Sequence, residues 1–327
     1  MPDLTSDFTV VIPTYNGEQR LPEVLACLRK QTAIGTINWE IVVVDNNSQD
    51  DTARVIQSCQ AMFPCPLRYL KEPRQGLAYA RQSGVQAAQS DWVGFIDDDN
   101  LPEPDWVSNA YQFAQSHPQA GGIASRIQGD FEEDPPAHYR RIFPFFALTD
   151  RGNHPLRYMS PKKLLPPGAG LVIRKQAWLA HVPDQPCLSG RIGQMMVAGE
   201  DIESVAHIQR AGWEIWYNPE MRMIHKIPAR RLQRDYLIPM FQGIGLSRYI
   251  TRMIGIPGWQ RPFWLLAYLL NDLRKIISHL LYYRGQVVTD VIAASELTLY
   301  QSSFFSPFYF WRQRLQSVGS PPIPPEA

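Results

Sequence analysis

Along residues 8–99, short runs rich in β-branched and aromatic residues alternate with amphipathic stretches of helical length. Residues 8–12, 39–44, 67–70 and 92–96 have the length and composition of strands. Between the first two, residues 21–31 place Leu21, Val24, Leu25 and Leu28 on one helical face. Residues 48–59 and 76–88 supply two further helices. Ser48 is placed to cap the first of these, with Asp50 and Asp51 in its opening turn. Apolar strands separated by helices predict a parallel sheet covered on both faces, whose ligands gather at the carboxyl ends of the strands. Asp45 and the run Asp97-Asp98-Asp99 both fall there, so the pattern puts them in one cleft.

Beyond residue 100 the alternation loosens. Residues 104–117 read as a helix and 121–127 as a strand. Residues 131–167 form a Pro-rich insertion that mixes aromatics with bases, among them Tyr139, Arg140, Phe143, Arg157, Lys162 and Lys163. A short strand is expected at 171–173, a helix at 200–211 closed by Gly212, and a strand at 221–224 just before His225. Residues 232–303 read as three helical segments rich in Leu, Ile, Tyr and Trp. The tail from 313 is expected to be disordered. The apolar stripe of Phe263, Trp264, Leu266, Leu269 and Leu270 is expected to pack against the rest of the chain. The alternative is peripheral membrane contact, with Arg230, Arg231, Arg234, Arg248 and Arg252 flanking apolar faces. Residues 262–271, the best spanning candidate, would cover about 15 Å as a helix, roughly half a bilayer core.

Composition narrows the class. At 327 residues the chain is longer than one small core requires, and 45% hydrophobic with 19% charged residues is a globular balance. A formal net charge of +1 gives no basic field for nucleic acid. The four cysteines, Cys27, Cys59, Cys65 and Cys187, form no Cys-x-x-Cys pair and read as reduced thiols, with Cys59 and Cys65 close enough in sequence to be watched. Acidic residues stand near the N-terminus where a signal peptide needs basic ones. The expected location is therefore cytoplasmic, with at most peripheral contact at the inner face of the plasma membrane.

Three adjacent acids at the end of a buried strand repel one another, and a cation relieves that repulsion. Hard oxygen ligands suit Mg²⁺ or Mn²⁺, and an enzyme using such a metal usually holds a phosphate against it. The segments Val10-Val11-Ile12-Pro13-Thr14-Tyr15-Asn16, Val42-Val43-Val44-Asp45-Asn46-Asn47-Ser48, Gly76 to Gly84, Phe95 to Asp99 and Gly199-Glu200-Asp201 occur in order. Together they resemble a family 2 glycosyltransferase of the GT-A fold. The likeness continues through Gly168 to Arg174 and Ala211 to Glu220. Through the C-terminal helices it extends to the cyanobacterial hormogonium polysaccharide biosynthesis glycosyltransferases.

The resemblance implies a Rossmann-like mixed α/β sheet flanked by helices over residues 1–228, with 131–167 on the acceptor side, a helical extension over 229–312 and a tail over 313–327. It implies an inverting transfer of a sugar from a UDP-sugar donor to the hydroxyl of a glycan or lipid-linked glycan. Pro13, Thr14, Tyr15, Glu18 and Asp45 would hold the uridine, Asp45 by accepting the imide N–H of uracil. In isolation Asp45 would instead be an Asx turn. Asp99 would bind Mn²⁺ or Mg²⁺, with Asp97 and His225 beside it and Asp97 and Asp98 toward the nucleotide. Gly76 and Arg81 open a helix suited to phosphate, although the family's usual Asn after the Arg is Gln82 here. Asp201 would be the general base and Glu200 its support. Glu203 reads as an ordinary surface residue and His225, taken alone, as a structural histidine. A sugar-1-phosphate nucleotidyltransferase is the rival enzyme, but the turn after the first strand lacks that class's Gly-rich basic loop. A silent nucleotide-sugar-binding partner is the rival from outside catalysis.

Overall fold

The computed structural model describes residues 6–159, 165–188, 190 and 197–318, so Lys162, Lys163 and the chain beyond 318 lie outside the described residues. The chain divides into two compact units, residues 1–192 with 199–232, and residues 193–198 with 233–327.

In the first unit, β1 (Phe8–Thr14), α1 (Leu21–Arg29), β2 (Trp39–Asp45), α2 (Thr52–Gln60), β3 (Leu67–Lys71), α3 (Leu77–Ala87) and β4 (Trp92–Phe95) follow the predicted alternation. Then come β5 (Asn100–Pro102), α4 (Trp106–Ser116), β6 (Ala120–Phe131), β7 (Leu156–Arg157), β8 (Val172–Arg174), α5 (Lys175–His181), α6 (Glu200–Arg210) and β9 (Glu214–Ile227). The sheet runs β3-β2-β1-β4-β8-β6-β9-β5, with β7 on β9. Strands β1, β2 and β4 are buried throughout, as a strand covered on both faces must be. Val10, Ile12, Ile41 and Val43 pack with Leu21, Leu25 and Trp106 on one face. Val11, Val42 and Val44 pack with Ala80, Val85 and Trp178 on the other.

Strands β1 to β4 are parallel, as the alternation over residues 8–99 predicts, and the sheet as a whole is mixed, as the resemblance implies. β8 lies antiparallel between β4 and β6. The insertion that joins β6 to β8 holds a 3-10 helix at Ala137–Phe146. α2 begins at Thr52, not at Ser48. The backbone N–H of Ser48 donates to Asp45 Oδ1 at 2.8 Å, and its Oγ accepts from the N–H of Asn16 at 2.9 Å, so residues 45–51 stay a turn. β9 runs through Pro219 because a register break admits it. Asn218 pairs with Ser125, and Arg222 with the next residue, Arg126.

The second unit contains α7 (Arg234–Met253), α8 (Arg261–Tyr283) and α9 (Val291–Val318). The tail expected to be disordered from 313 is helical as far as Val318. The stripe on α8 is not packed away as expected. Phe263, Trp264, Leu266 and Leu270 are exposed, Leu269 is only partly buried, and the buried residues of α8 are Asp272 and His279. Among the described residues no helix is long and apolar enough to cross a membrane. All four cysteines, including Cys59 and Cys65, are thiols rather than disulfides.

Candidate active site

The site is built at the carboxyl ends of β1, β2 and β4. Register sets Thr14 of β1 beside Asp45 of β2. After β1 the chain turns sharply, with Asn16 at φ +49°. Gly17 follows because a Cβ there would lie 2.1 Å from Thr14 Oγ1. This turn leaves Tyr15 half exposed at its tip, while Pro13 is buried in β1. Glu18 accepts from the backbone N–H of Asp51 at 3.0 Å, which ties the turn to the start of α2 and directs that carboxylate away from the acids. Asp45 is buried and doubly engaged, by the turn N–H of Ser48 and by Tyr69 Oη at 2.8 Å.

Gly76 caps α3 at φ +139°, a conformation glycine adopts freely. Its N–H donates to Asn46 Oδ1 at 2.7 Å, and Asn46 Nδ2 donates to the carbonyl of Arg74 at 2.7 Å, so Asn46 holds the loop that delivers α3. One turn in, the buried guanidinium of Arg81 reaches Asp97 Oδ1 at 3.1 Å and Glu200 Oε1 at 3.2 Å. Its Nε is buried with no hydrogen-bond partner. Gly168 lies against this guanidinium, where a Cβ would stand 2.5 Å from Nη1, and its N–H donates to Asp201 Oδ2 at 2.7 Å. Asp97, Arg81, Glu200, Gly168 and Asp201 are thus one continuous cluster.

Each acid of the run has a different cationic partner. Asp98 takes a fork from Arg20, 2.9 Å from Nε and 2.8 Å from Nη2, and the hydroxyl of Thr14 at 2.6 Å. Its carboxylate therefore anchors the β1 turn. Asp97 keeps 27% of its side chain exposed. Loss of surrounding water still pushes its carboxyl above the usual range, while Arg81 pulls it down and Asp99 and Asp98 add to the rise. Asp99 receives Arg231 Nη2 at 2.6 Å and Asn100 Nδ2 at 2.6 Å. Burial opposes its charge, but the Arg231 guanidinium bonded to it more than offsets that, and the carboxyl sits well below its usual range.

Arg231 also donates to His225 Nε2 at 2.9 Å. Arginine has no acceptor, so Nε2 offers its lone pair and Nδ1–H donates to the carbonyl of Phe146 at 2.8 Å. The imidazole is oriented by β9 on one side and the insertion on the other. Glu203 is not a surface residue. It is buried and accepts the N–H groups of Cys187 and Leu188 at 2.9 and 2.8 Å, and burial pushes its carboxyl up.

For a divalent cation, the donor types are right: two carboxylates and a neutral imidazole. Among the described residues, however, no three metal-ligating side chains converge. Asp99 Oδ2 and His225 Nε2 lie 3.5 Å apart, and Arg231 is bonded to both. A cation and Arg231 would compete for the same carboxylate.

Sequence reasoning assigned no role to Arg20 or Tyr69, named Asn46 and Gly168 only as parts of longer matching segments, and named Arg231 only under the membrane alternative. The available signal was charge balance, since three adjacent buried acids call for three positive partners.

Residues 9–172 match the family described as Glycosyl transferase family 2. The uncharacterized glycosyltransferase YfnE of Bacillus subtilis is 37% identical over 100 residues, 31% of this chain and 25% of YfnE. The chain thus spans about a quarter of that relative's length. Among solved structures, mannosyltransferase PcManGT from Pyrobaculum calidifontis, in complex with GDP-Man and Mn²⁺, superposes with a TM-score of 0.60 at 17% identity, covering 96% of this chain and 90% of that one. Staphylococcus aureus TarS 1–349 in complex with UDP gives 0.51 at 14%, covering 94% and 92%. At these identities the likeness is one of fold, and the fold is GT-A-like.

Proposed function

The chain belongs to glycosyl transferase family 2, and from that premise we propose that it transfers a sugar, with inversion, from a uridine diphosphate donor to a hydroxyl of a glycan or lipid-linked glycan. The observation that carries this reading is the Arg81 bridge. It ties Asp97, at the donor end of β4, to Glu200 at the start of α6, next to Asp201. Charge for a diphosphate and a carboxylate for proton transfer are thereby joined in one cluster.

In this reading Asp45, Thr14 and Tyr15 receive the nucleoside, with Pro13 shaping the turn and Glu18 bracing it against α2. Gly76 and Arg81 face the donor's phosphate side with Asp97, and Asp98 secures the turn through Arg20. Asp201 takes the proton of the acceptor hydroxyl as that oxygen attacks the anomeric carbon. The bond from the anomeric carbon to the diphosphate oxygen breaks, and the nucleoside diphosphate leaves from the opposite face. Backbone N–H groups of Gly168 and Ile202, each at 2.7 Å, fix the Asp201 carboxylate. Glu200 reaches the same neighbourhood through Arg81 and the N–H of Gly199.

A divalent cation, Mn²⁺ or Mg²⁺, would take Asp99, with Asp97 and His225 beside it, only once Arg231 is displaced, and would then supply positive charge to the leaving diphosphate. The aromatic insertion would frame the acceptor. Resemblance to the hormogonium polysaccharide enzymes points to a cell-surface polysaccharide as the product.

Asp201→Asn is the direct test. It should retain UDP binding in calorimetry and lose transfer by about 10²–10⁴-fold, the range for a general base. Undiminished transfer in that variant removes Asp201 from the role.

A further inference from the structure

We propose that the outer face of α8 docks on an anionic lipid surface. The inference is independent of the glycosyl-transfer reading. An amphipathic helix in a folded unit normally buries its apolar stripe, and α8 does the reverse. Phe263, Leu266, Leu270, Leu273, Ile277 and Leu281 recur every three or four residues and are all exposed, Phe263 by 73% and Leu281 by 70%. Trp259, 75% exposed, stands just before the helix, and the exposed Tyr282 lies near its end.

The side turned inward carries the helix's buried polar residues, Asp272 and His279, beside the half-buried Leu265 and Leu269. Asp272 accepts both guanidinium nitrogens of Arg252 at 2.5 and 2.9 Å, and His279 Nε2 bonds the carbonyl of Ala293 at 2.8 Å. Turning α8 to bury its stripe would take a fully buried carboxylate out of its ion pair. The rotation of the helix is therefore locked with the apolar face outward.

Charge selects the occupant. Between residues 259 and 288 the only carboxylate is Asp272, which is buried, whereas Arg261, Arg274 and Arg284 are exposed. A second copy meeting this face would bring arginine to arginine with no acid to answer it. Anionic headgroups answer all three. Apolar side chains with tryptophan and tyrosine at the margins and arginines around them match a helix lying in the headgroup region. Of the arginines named under the membrane alternative, Arg231 and Arg252 instead form ion pairs with Asp99 and Asp272.

The test is co-sedimentation of the full chain with vesicles of phosphatidylcholine alone and of phosphatidylcholine mixed with phosphatidylglycerol. The chain should partition onto the anionic vesicles and dissociate as salt is raised. Phe263→Glu combined with Leu270→Glu and Ile277→Glu should weaken that partition on the order of a hundredfold. Arg261→Gln with Arg274→Gln and Arg284→Gln should weaken it similarly, and on the anionic vesicles only. All these positions are exposed, so both variants should melt with the wild type, and either one suffices for the test. Absence of wild-type binding, or binding unaffected by either variant, overturns the proposal. So does a wild-type dimer that the apolar-face variant makes monomeric, because the occupant would then be a second copy.

Discussion

Three adjacent carboxylates persist in this chain because three arginines from distant positions answer them: Arg81 for Asp97, Arg20 for Asp98 and Arg231 for Asp99. The acids themselves were legible in the sequence, since they end an apolar strand, and so were Asp45 and Asp201 at neighbouring element ends. Their division of labour was not legible, because Arg231 lies 132 positions from Asp99 and no local pattern links them. That pairing makes a prediction about the metal. Arg231→Ala removes the guanidinium from Asp99 and from His225 Nε2, leaving a carboxylate and an imidazole lone pair 3.5 Å apart. Mn²⁺ affinity measured by calorimetry should rise by about tenfold, while the fold loses on the order of 2 kcal/mol from the broken pair. Unchanged or weaker Mn²⁺ binding would show that Asp99 is not the metal's carboxylate and that Arg231 is its permanent counter-charge.

The core strands and first helices follow from the sequence because their signals are strictly periodic, as with Leu21, Val24, Leu25 and Leu28. What the sequence conceals at this scale is set by contacts between segments. Ser48 looks like a helix cap until Asn16, across the cleft, claims its hydroxyl. β9 reads as too short because Pro219 interrupts it, and only the register break against β6 restores the strand. The loop from β3 to α3 is a third such case, and it carries a pH dependence. Arg74 hydrogen bonds hold the Glu72 carboxyl down at about 2 against an ordinary 4.5; burial works the other way and Ser83 adds support. A carboxyl depressed in the folded state stabilises it fully above the ordinary value and loses that contribution as pH falls through the folded one. Glu72→Gln should therefore melt below the wild type at neutral pH, with the gap narrowing between pH 4.5 and about 2. A gap independent of pH would mean that Glu72 matters for its shape rather than its charge.

A net charge of +1 conceals an uneven molecule. Residues 1–232 carry 23 Lys/Arg against 26 Asp/Glu, and residues 233–327 carry nine against five. The same boundary separates the two compact units, each with its own buried side chains and its own arginine–carboxylate pair with one buried member. Arg81 serves Asp97 and Glu200 in the first unit, and Arg252 serves Asp272 in the second. Damage to the second pair should therefore be felt locally. Asp272→Leu leaves the half-buried Arg252 without its acid and should cost about 3 kcal/mol in the helical unit, whereas Arg252→Met added to it should recover most of that loss. UDP affinity, which the proposed function assigns to residues of the first unit, should be the same in all three proteins. Denaturation followed by near-ultraviolet circular dichroism should show one transition moving and another standing still. If UDP binding weakens in step with a single shifted transition, the two units share one cooperative fold, and the helices support the site directly rather than carrying a separate surface.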